Sequence, residues 1–549
     1  MLTLRVKNTG KKIEVPSGAS LLDVYALSGV NLPSGPVCAR VNNKVQGLKY
    51  RCYNNKDVEF LDLHSESGIR VYERSLFLVM TKAVEDLYPG GRLVIGAPMG
   101  GGHFCELHLD RKTTPDDVCA LEHRMREIVA ADLAIHRVQC PIEDAIAMFR
   151  DRGMESKSLL LEEQGNLYTY YYRLDHTVDC YYSCMLPSTG SLTTFALMPM
   201  GEGILLRTPS PADPTQVKPL KEETKFLDVV REQQRWQGIL GVNNVGELNA
   251  AVRQGRATEL INVSEALQER KLSAMADEIV SRRAKLVLIA GPSSSGKTTT
   301  SKRLSVLLTA CGLHPHTIST DDYFVNRVDT PKDADGEYDF ECIGAVDTAF
   351  FQKQMNQLLM GETIELPRYD FIRGERVFEG RQLCIGKDDV IILEGNHALN
   401  PLLSQQIAEE KKYRIYIAAC TTVALDEHNY VSTIDTRLLR RILRDYKYRG
   451  YSALATIKRC PSVTRGEDRW ITPYQDNADA TFNSALLFEL SVMRSELMPI
   501  LEQVCECYPE YSEASRLRKF LEYFRPIPSS EVPRTSLLRE FLGGSSFGS

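Results

Sequence analysis

A parallel α/β sheet in the C-terminal half, preceded by a β-grasp unit and an α+β unit, is the architecture this sequence predicts, and three observations predict it. From Lys285 to about Pro509, short apolar runs alternate with amphipathic helical stretches, the pattern of strands covered on both faces by crossover helices. The first 63 residues instead alternate apolar and polar positions in short runs between turn residues. A Pro-rich stretch, RTPSPADPTQVKP at 207–219, breaks the chain between the two patterns. With 549 residues, more than one core usually serves, several domains are expected.

In the opening unit, 1–63, LTLRV and KKIEV read as strands around a turn at Asn8–Gly10. Ser20 is placed to cap a helix over LLDVYALSG, and VCARVNN and VEFLDL supply further strands. Residues 64–215 mix helices (SLFLVMTKAVEDLY, ALEHRMREIVAADL, IEDAIAMFRDRG) with strands (NLYTYYYRL, TTFALMPM), an α+β pattern. Residues 216–283 read as a charged helical linker in which VSEALQERKLSAMADEIVSRR runs into the next strand. The α/β unit takes 284–510, and 511–549 reads as a C-terminal tail ending in LLREFLGGSSFGS.

Hydrophobic content of 43% and charged content of 25% are those of an ordinary soluble protein. A net charge of −6 argues against a general nucleic-acid or membrane-surface binder. The 14 cysteines form no CxxC pair and no zinc-ribbon spacing, so they read as reduced thiols. The N-terminus has no apolar signal region, and no apolar run approaches the ~18 residues of a membrane span. A soluble, cytoplasmic protein is expected.

The most informative segment is KLVLIAGPSSSGKTTTSKRLSVLL. LVLIA (286–290) reads as a buried strand and TTTSKRLSVLL as a helix; between them Gly291, Pro292, Ser293, Ser294, Ser295, Gly296, Lys297 and Thr298 fit G-x-x-x-x-G-K-[ST], with Thr299 following. Such a loop closes backbone N–H groups around phosphates at a helix N-terminus. Lys297 then reaches the β/γ-phosphates and the Thr298 hydroxyl ligates Mg²⁺, so ATP and Mg²⁺ are the expected cofactors.

Three downstream segments complete the pattern. HTISTDDYF (316–324) reads as a strand ending in Asp321 and Asp322, DDVIILEGNHALN (388–400) as a second buried strand ending in Glu394. DTRLLRRILRDYKYRG (435–450) reads as a helix on which Arg437, Arg441 and Arg444 share one face. Taken singly, either aspartate could cap a helix, Glu394 could be a strand-end carboxylate, and the arginines a solvated face. Beside a phosphate loop, phosphoryl transfer calls for an acid to accept a hydroxyl proton, another to hold Mg²⁺, and cations to neutralise the moving phosphoryl.

These motifs, with Y-D-F-E…A-x-D at 338–347, P-x-Y-D-F…R at 367–376 and a late Ala478-Asp479, resemble the uridine kinase/phosphoribulokinase family of P-loop kinases over about 285–490. The resemblance implies Asp321 as catalytic base, with Thr298 and Glu394 as its companions on Mg²⁺. It implies Glu341 at the ribose hydroxyls, Tyr369 and Phe371 walling the base, Arg376 and Arg441 near the acceptor, and Arg444 and Arg449 as lid arginines on the ATP phosphates. The sequence departs from the family at Gly374, where uridine kinases carry a base-binding histidine, at Cys342-Ile343, at Asn396 and at Tyr451. Gly374 predicts open space beside Tyr369 and Phe371 and altered base recognition, unless Arg373 or Arg376 swings in.

Residues 1–63 resemble a TGS domain, and 64 to about 205 the editing domain of threonyl-tRNA synthetases, through LYPGGRLVIGAP (87–98) and LPSTG (186–190). The four metal-type positions of that domain fall on Arg74, Leu78, Tyr181 and Met185, which make no zinc site. His176 and Cys180 lie nearby, but two ligands do not make a site. The implied function is a nucleoside kinase, for uridine or cytidine first; the alternatives are a kinase of another sugar or sugar phosphate, or an RNA- or translation-linked nucleotide-binding protein. A small-molecule acceptor is the expected partner, with no membrane and no required nucleic acid; a homo-oligomer is left open.

Overall fold

The computed structural model describes residues 1–220, 224–332, 336, 338–421 and 423–547. The first unit is a five-stranded mixed sheet in the order Lys11–Val15, Leu2–Val6, Lys56–Leu61, Cys38–Val41, Lys44–Gly47. Leu2–Val6 runs parallel to Lys56–Leu61 and every other pairing is antiparallel, the β-grasp arrangement. Ser20 caps the helix Leu21–Ser28 as expected: its hydroxyl accepts from Asp23 N at 3.2 Å and its own N–H donates to the Asp23 carboxylate at 2.9 Å. Leu4, Val6, Val15, Leu21, Val24 and Phe60 fill the space between sheet and helix.

In the second unit a 22-residue helix, Glu66–Leu87, lies among a three-stranded and a four-stranded antiparallel sheet. Its apolar residues run almost all round, so nearly the whole helix is buried. The Pro-rich stretch is docked on this unit. Thr208 donates to Glu73 at 2.9 Å, Lys218 Nζ to the same carboxylate at 3.1 Å, and Lys218 N to Thr208 O at 2.9 Å.

The C-terminal half holds a five-stranded parallel sheet in the order His314–Ser319, Asp389–Glu394, Leu286–Ala290, Lys412–Ala418, Ala480–Asn483. Every residue of the central LVLIA strand is buried, which is why it reads as a continuous apolar run. Ser319 pairs in register with Glu394, and Glu394 with Ile289, so the segments after three neighbouring strands open on one sheet edge.

Two boundaries differ from expectation. The stretch read as a helical linker ends in the helix Ala257–Arg282, whose Leu272, Met275, Ala276 and Ile279 stand at i, i+3, i+4 and i+7 and join the core under the sheet with Val287, Ile289 and Leu304. Its charged face concealed that apolar stripe. The stretch read as a tail is equally integral: Leu517, Phe524, Leu537, Leu538 and Phe541 are all fully buried in the same core. The halves are joined by a buried polar cluster. Lys157 Nζ lies 2.6 Å from Asp179 and 2.7 Å from Asp426, and His428 Nδ1 lies 2.6 Å from Asp179.

Candidate active site

The phosphate loop folds as its glycines dictate. A Cβ on Gly291 would come 2.5 Å from the Ile417 carbonyl, and Gly296 sits at φ +86°, where its missing side chain leaves room for Leu537. The helix Lys297–Ala310 starts immediately afterwards. Two loop hydroxyls, those of Ser294 and Ser295, are buried and have no protein partner, as a cradle for an anion would leave them. Arg440 braces the loop from behind. It is fully buried, held by Glu489 and by Ser484 Oγ at 3.1 Å, and donates to Ser294 O at 3.4 Å.

Lys297 donates to its own loop, to Gly291 O at 2.9 Å and Pro292 O at 3.1 Å. Burial holds its ammonium below the usual lysine range, while the charges of Glu394, Asp321, Glu467 and Glu341 act in the opposite sense. The strand expected at 316–324 ends at Ser319, and the two aspartates stand on a single 3₁₀ turn, Thr320–Tyr323, capped by the Ser319 hydroxyl on Asp321 N at 3.3 Å. Burial raises the Asp321 carboxyl, with Lys297 and Arg449 opposing. Burial also pushes Glu394 up to about 7, and its Oε1 accepts from Thr298 Oγ1 at 3.4 Å. No three His, Cys, Asp or Glu side chains converge on a metal-sized site among the described residues. Thr298, Asp321 and Glu394 are hard oxygen donors, Thr298 exposed and the two carboxylates half-buried, and as a donor set they would suit Mg²⁺.

Across from the loop, Asn396 Nδ2 donates to Glu341 at 2.9 Å, and burial together with Glu467 raises the Glu341 carboxyl while Arg441 opposes. Asp322, the second aspartate, accepts from Tyr369 N at 3.3 Å and so ties the hairpin Ile364–Asp370/Glu375–Leu383 to the Asp321 turn. Tyr369 is buried with its hydroxyl unpartnered, and it meets Phe324 at 5.5 Å and Phe371 at 5.1 Å edge to face. Phe371 is exposed.

One expectation fails here, and another is qualified. Arg376 is partly committed, donating to Asp347 at 3.0 Å and lying over the Phe350 ring, while its buried Nη1 has no protein partner. The space beside Gly374 is not open, contrary to expectation. Gly374 takes φ +75° in the hairpin turn, and a Cβ there would meet the Arg327 side chain at 2.8 Å. Arg327 also donates to Phe371 O. The side chain that fills the gap is therefore Arg327, some 47 residues upstream in the sequence, and neither Arg373 nor Arg376.

The arginine helix spans Thr433–Tyr448. Arg441, Arg444 and Arg449 converge on Asp445 at 3.4, 3.3 and 3.5 Å, whereas Arg437 pairs with Glu467. Burial and Arg449 hold the Arg444 guanidinium below its usual range. Two carboxylates that sequence reasoning missed sit on donors of the phosphate loop. Glu467 accepts from Ser293 N at 2.9 Å; Glu540, in the supposed tail, accepts from Thr299 N at 3.3 Å and Thr299 Oγ1 at 2.7 Å. Asp445, one residue after Arg444 in a quoted motif, was likewise missed, and Asn396 was noted only as a departure and not as the partner of Glu341.

Residues 286–487 match the model of the Phosphoribulokinase / Uridine kinase family. The match takes in the phosphate loop, the Asp321 turn, Glu394 and the arginine helix. The solved structure described as a possible uridine kinase from Bacillus stearothermophilus is 17% identical, with a TM-score of 0.27, and covers 39% of this chain and 98% of its own. The N-terminal half is similar to threonine–tRNA ligases. That of Rubrobacter xylanophilus is 31% identical over 197 residues, which are 36% of this chain and 30% of the ligase; that of Syntrophomonas wolfei is 31% identical over 201 residues, 36% of this chain and 31% of the ligase. The chain thus spans about a third of the length of the curated relatives it matches. Of the four positions singled out in that half, Leu78, Tyr181 and Met185 are buried in its core, and Arg74 faces a cavity. His176 lies 3.0 Å from Asp175 and 3.4 Å from Asp86, while the buried Cys180 thiol faces Tyr170 O. No described helix is long and apolar enough to cross a membrane.

Proposed function

We propose that the chain transfers the γ-phosphoryl group of MgATP to the 5′-hydroxyl of a nucleoside, with uridine and cytidine as first candidates. The observation that carries this reading is the position of the Asp321 turn. Asp321 shares a charge cluster with Lys297 and Glu394, and Asp322 beside it holds the aromatic hairpin through Tyr369 N. The base thus stands between a phosphate cradle and an aromatic wall, as transfer from one to the other requires.

In this reading Gly291–Thr299 bind the triphosphate, and Lys297 leaves its loop carbonyls for the β/γ-oxygens. Glu341, oriented by Asn396, accepts from the sugar hydroxyls, and Phe324, Tyr369 and Phe371 pack on the base. Asp321 takes the proton of the attacking hydroxyl as its oxygen bonds the γ-phosphorus and the bond to the β-phosphate oxygen breaks. Arg441, Arg444 and Arg449 meet the charge on the transferring group. Mg²⁺, held by Thr298, Asp321 and Glu394, supplies neutralisation of the phosphate oxygens. The first two units are read as TGS-like and editing-like modules without deacylase chemistry, in a cytoplasmic protein. A coupled ADP-release assay across uridine, cytidine, adenosine, guanosine, inosine and sugar phosphates tests the proposal, with nucleoside-dependent turnover expected. Turnover confined to sugar phosphates would overturn the nucleoside assignment, and nucleotide binding without any alcohol-dependent ADP release would overturn the kinase.

A further inference from the structure

A cavity of ≈ 600 Å³ opens where the three parts of the chain meet, far in sequence from the phosphate loop. Its walls come from the hairpin around Lys44, from the second unit's long helix and strands, and from the helix Tyr511–Leu521. Gly47 lets the hairpin approach, since a Cβ there would lie 3.1 Å from the Cys184 Cβ. The lining carries seven Lys and Arg side chains against a single carboxylate, Glu513, in a chain whose net charge is −6.

That carboxylate is already committed, to Arg70 at 3.2 Å and to Arg516; Arg516 also holds Asp435 through two bonds of 2.7 and 2.6 Å. Among the described residues Arg74, Arg137, Lys44 and Lys519 have no ion pair, and Arg137 lies over the Tyr170 ring at 3.7 Å. All four line the one cavity together with the half-buried Cys184. Burial holds both Arg74 and Lys519 below their usual ranges, with neighbouring cations adding to the effect. Like charges gathered in a partly closed space repel one another unless an anion joins them. The volume is that of a small-molecule pocket, about 300–1,000 Å³.

We propose that this cavity binds a phosphorylated small molecule, a phosphate ester or diphosphate, with its anionic group among Arg74, Arg137, Lys44 and Lys519 and its remaining body against Tyr170 and Tyr172. The site is independent of the kinase assignment, because none of its residues belongs to the phosphate loop.

The test uses the full chain and inorganic pyrophosphate. Pyrophosphate slows iodoacetamide alkylation of Cys184 in the unsubstituted chain and leaves the exposed Cys505 unaffected, read by mass spectrometry of the labelled peptides. In a Lys297→Ala background, calorimetry gives saturable pyrophosphate binding that weakens about tenfold or more when Arg74→Gln and Lys519→Gln are added. Should the triple variant not fold, the footprint on the unsubstituted chain decides. An unchanged Cys184 rate at saturating pyrophosphate overturns the proposal. So does protection by a tRNA 3′-terminal fragment with none by pyrophosphate or a nucleoside monophosphate, which would assign the cavity to nucleic acid.

Discussion

Two charge clusters in this chain each set a lysine among carboxylates, one fully buried between the halves and one half-buried at the phosphate loop, and they differ in how the carboxylates are satisfied. Between the halves, Lys157 meets one oxygen of Asp179 and one of Asp426, Cys180 N joins it on Asp179 at 2.7 Å, and the other oxygens take His428 Nδ1 on Asp179 and Tyr182 OH at 2.8 Å with Asn429 Nδ2 at 2.9 Å on Asp426. Every carboxylate oxygen has a donor, and Asp179, despite full burial, is held below the usual carboxylate range by Lys157 and His428. In the phosphate site Lys297 donates to loop carbonyls instead of to the acids around it, and burial raises both Asp321 and Glu394. A satisfied cluster fixes geometry. An unsatisfied one stores a demand for cations and phosphate, and that demand is what marks a ligand site.

The largest effects that test this contrast are kinetic. Lys297→Ala should lower turnover by about 10³-fold or more, since a desolvated cation meets the charge that develops in transfer. Asp321→Asn should lower kcat comparably while leaving ATP affinity within a few-fold, because it removes the proton acceptor and spares the loop. A normal kcat in Asp321→Asn, measured by ADP release, would show that another group is the base. Next in size is stability. Lys157→Met leaves two carboxylates buried without their cation and should cost about 3–5 kcal/mol in chemical denaturation. Glu394→Gln should do the reverse in metal-free buffer and raise the midpoint. If both substitutions destabilise equally, the two clusters are alike and the distinction drawn here collapses.

How far the sequence carried this picture depends on distance along the chain. The loop and Glu394 were legible because strand, glycines and helix obey local rules, and parallel pairing then brings adjacent strand ends to one edge; Asp321 was expected at that edge too, but on a strand and not on the 3₁₀ turn that carries it. Arg327 behind Gly374, Glu467 on Ser293 and Glu540 on Thr299 were not, because each is a contact between segments with no shared periodicity. The helix Ala257–Arg282 misled for a different reason: its charges outnumber its apolar stripe, so composition suggested a linker where spacing implied a packed face.

A pH series sharpens the stability comparison. Glu394 titrates near 7 in the folded chain against an ordinary 4.5, so below pH 4.5 it is neutral whether folded or unfolded and has no effect. Between these values the unfolded chain ionises while the folded one stays protonated, so stability falls as pH rises, and above about 7 the loss is complete. The difference in unfolding free energy between Glu394→Gln and the unsubstituted protein, in chelator, should therefore widen from pH 5 to pH 7.5 by at most about 1.4 kcal/mol per unit and then level. A difference that shrinks with pH would mean that the carboxylate is paired in the folded state, as in the Lys157 cluster.

The smallest expected effect concerns Glu540, which joins the contrast from the unsatisfied side by placing a negative charge on the first turn of the phosphate-binding helix. Its carboxylate takes the Thr299 N–H and hydroxyl, and it also pushes the Glu394 carboxyl upward. An incoming phosphate competes for those same donors and is repelled by the same charge. Glu540→Gln keeps the size of the side chain and its buried neighbours Leu537 and Phe541 while removing the charge. A charge at a helix N-terminus is worth about 0.3–1 kcal/mol, so the nucleotide Kd should fall about two- to fivefold, with melting temperature changed little in the absence of nucleotide. Tighter MgATP and MgADP binding in the variant, by calorimetry, is the expected result. Weaker binding would mean that Glu540 supports the nucleotide through Thr299 and does not compete with it, and the tail would then belong to the binding site in the same sense as the loop.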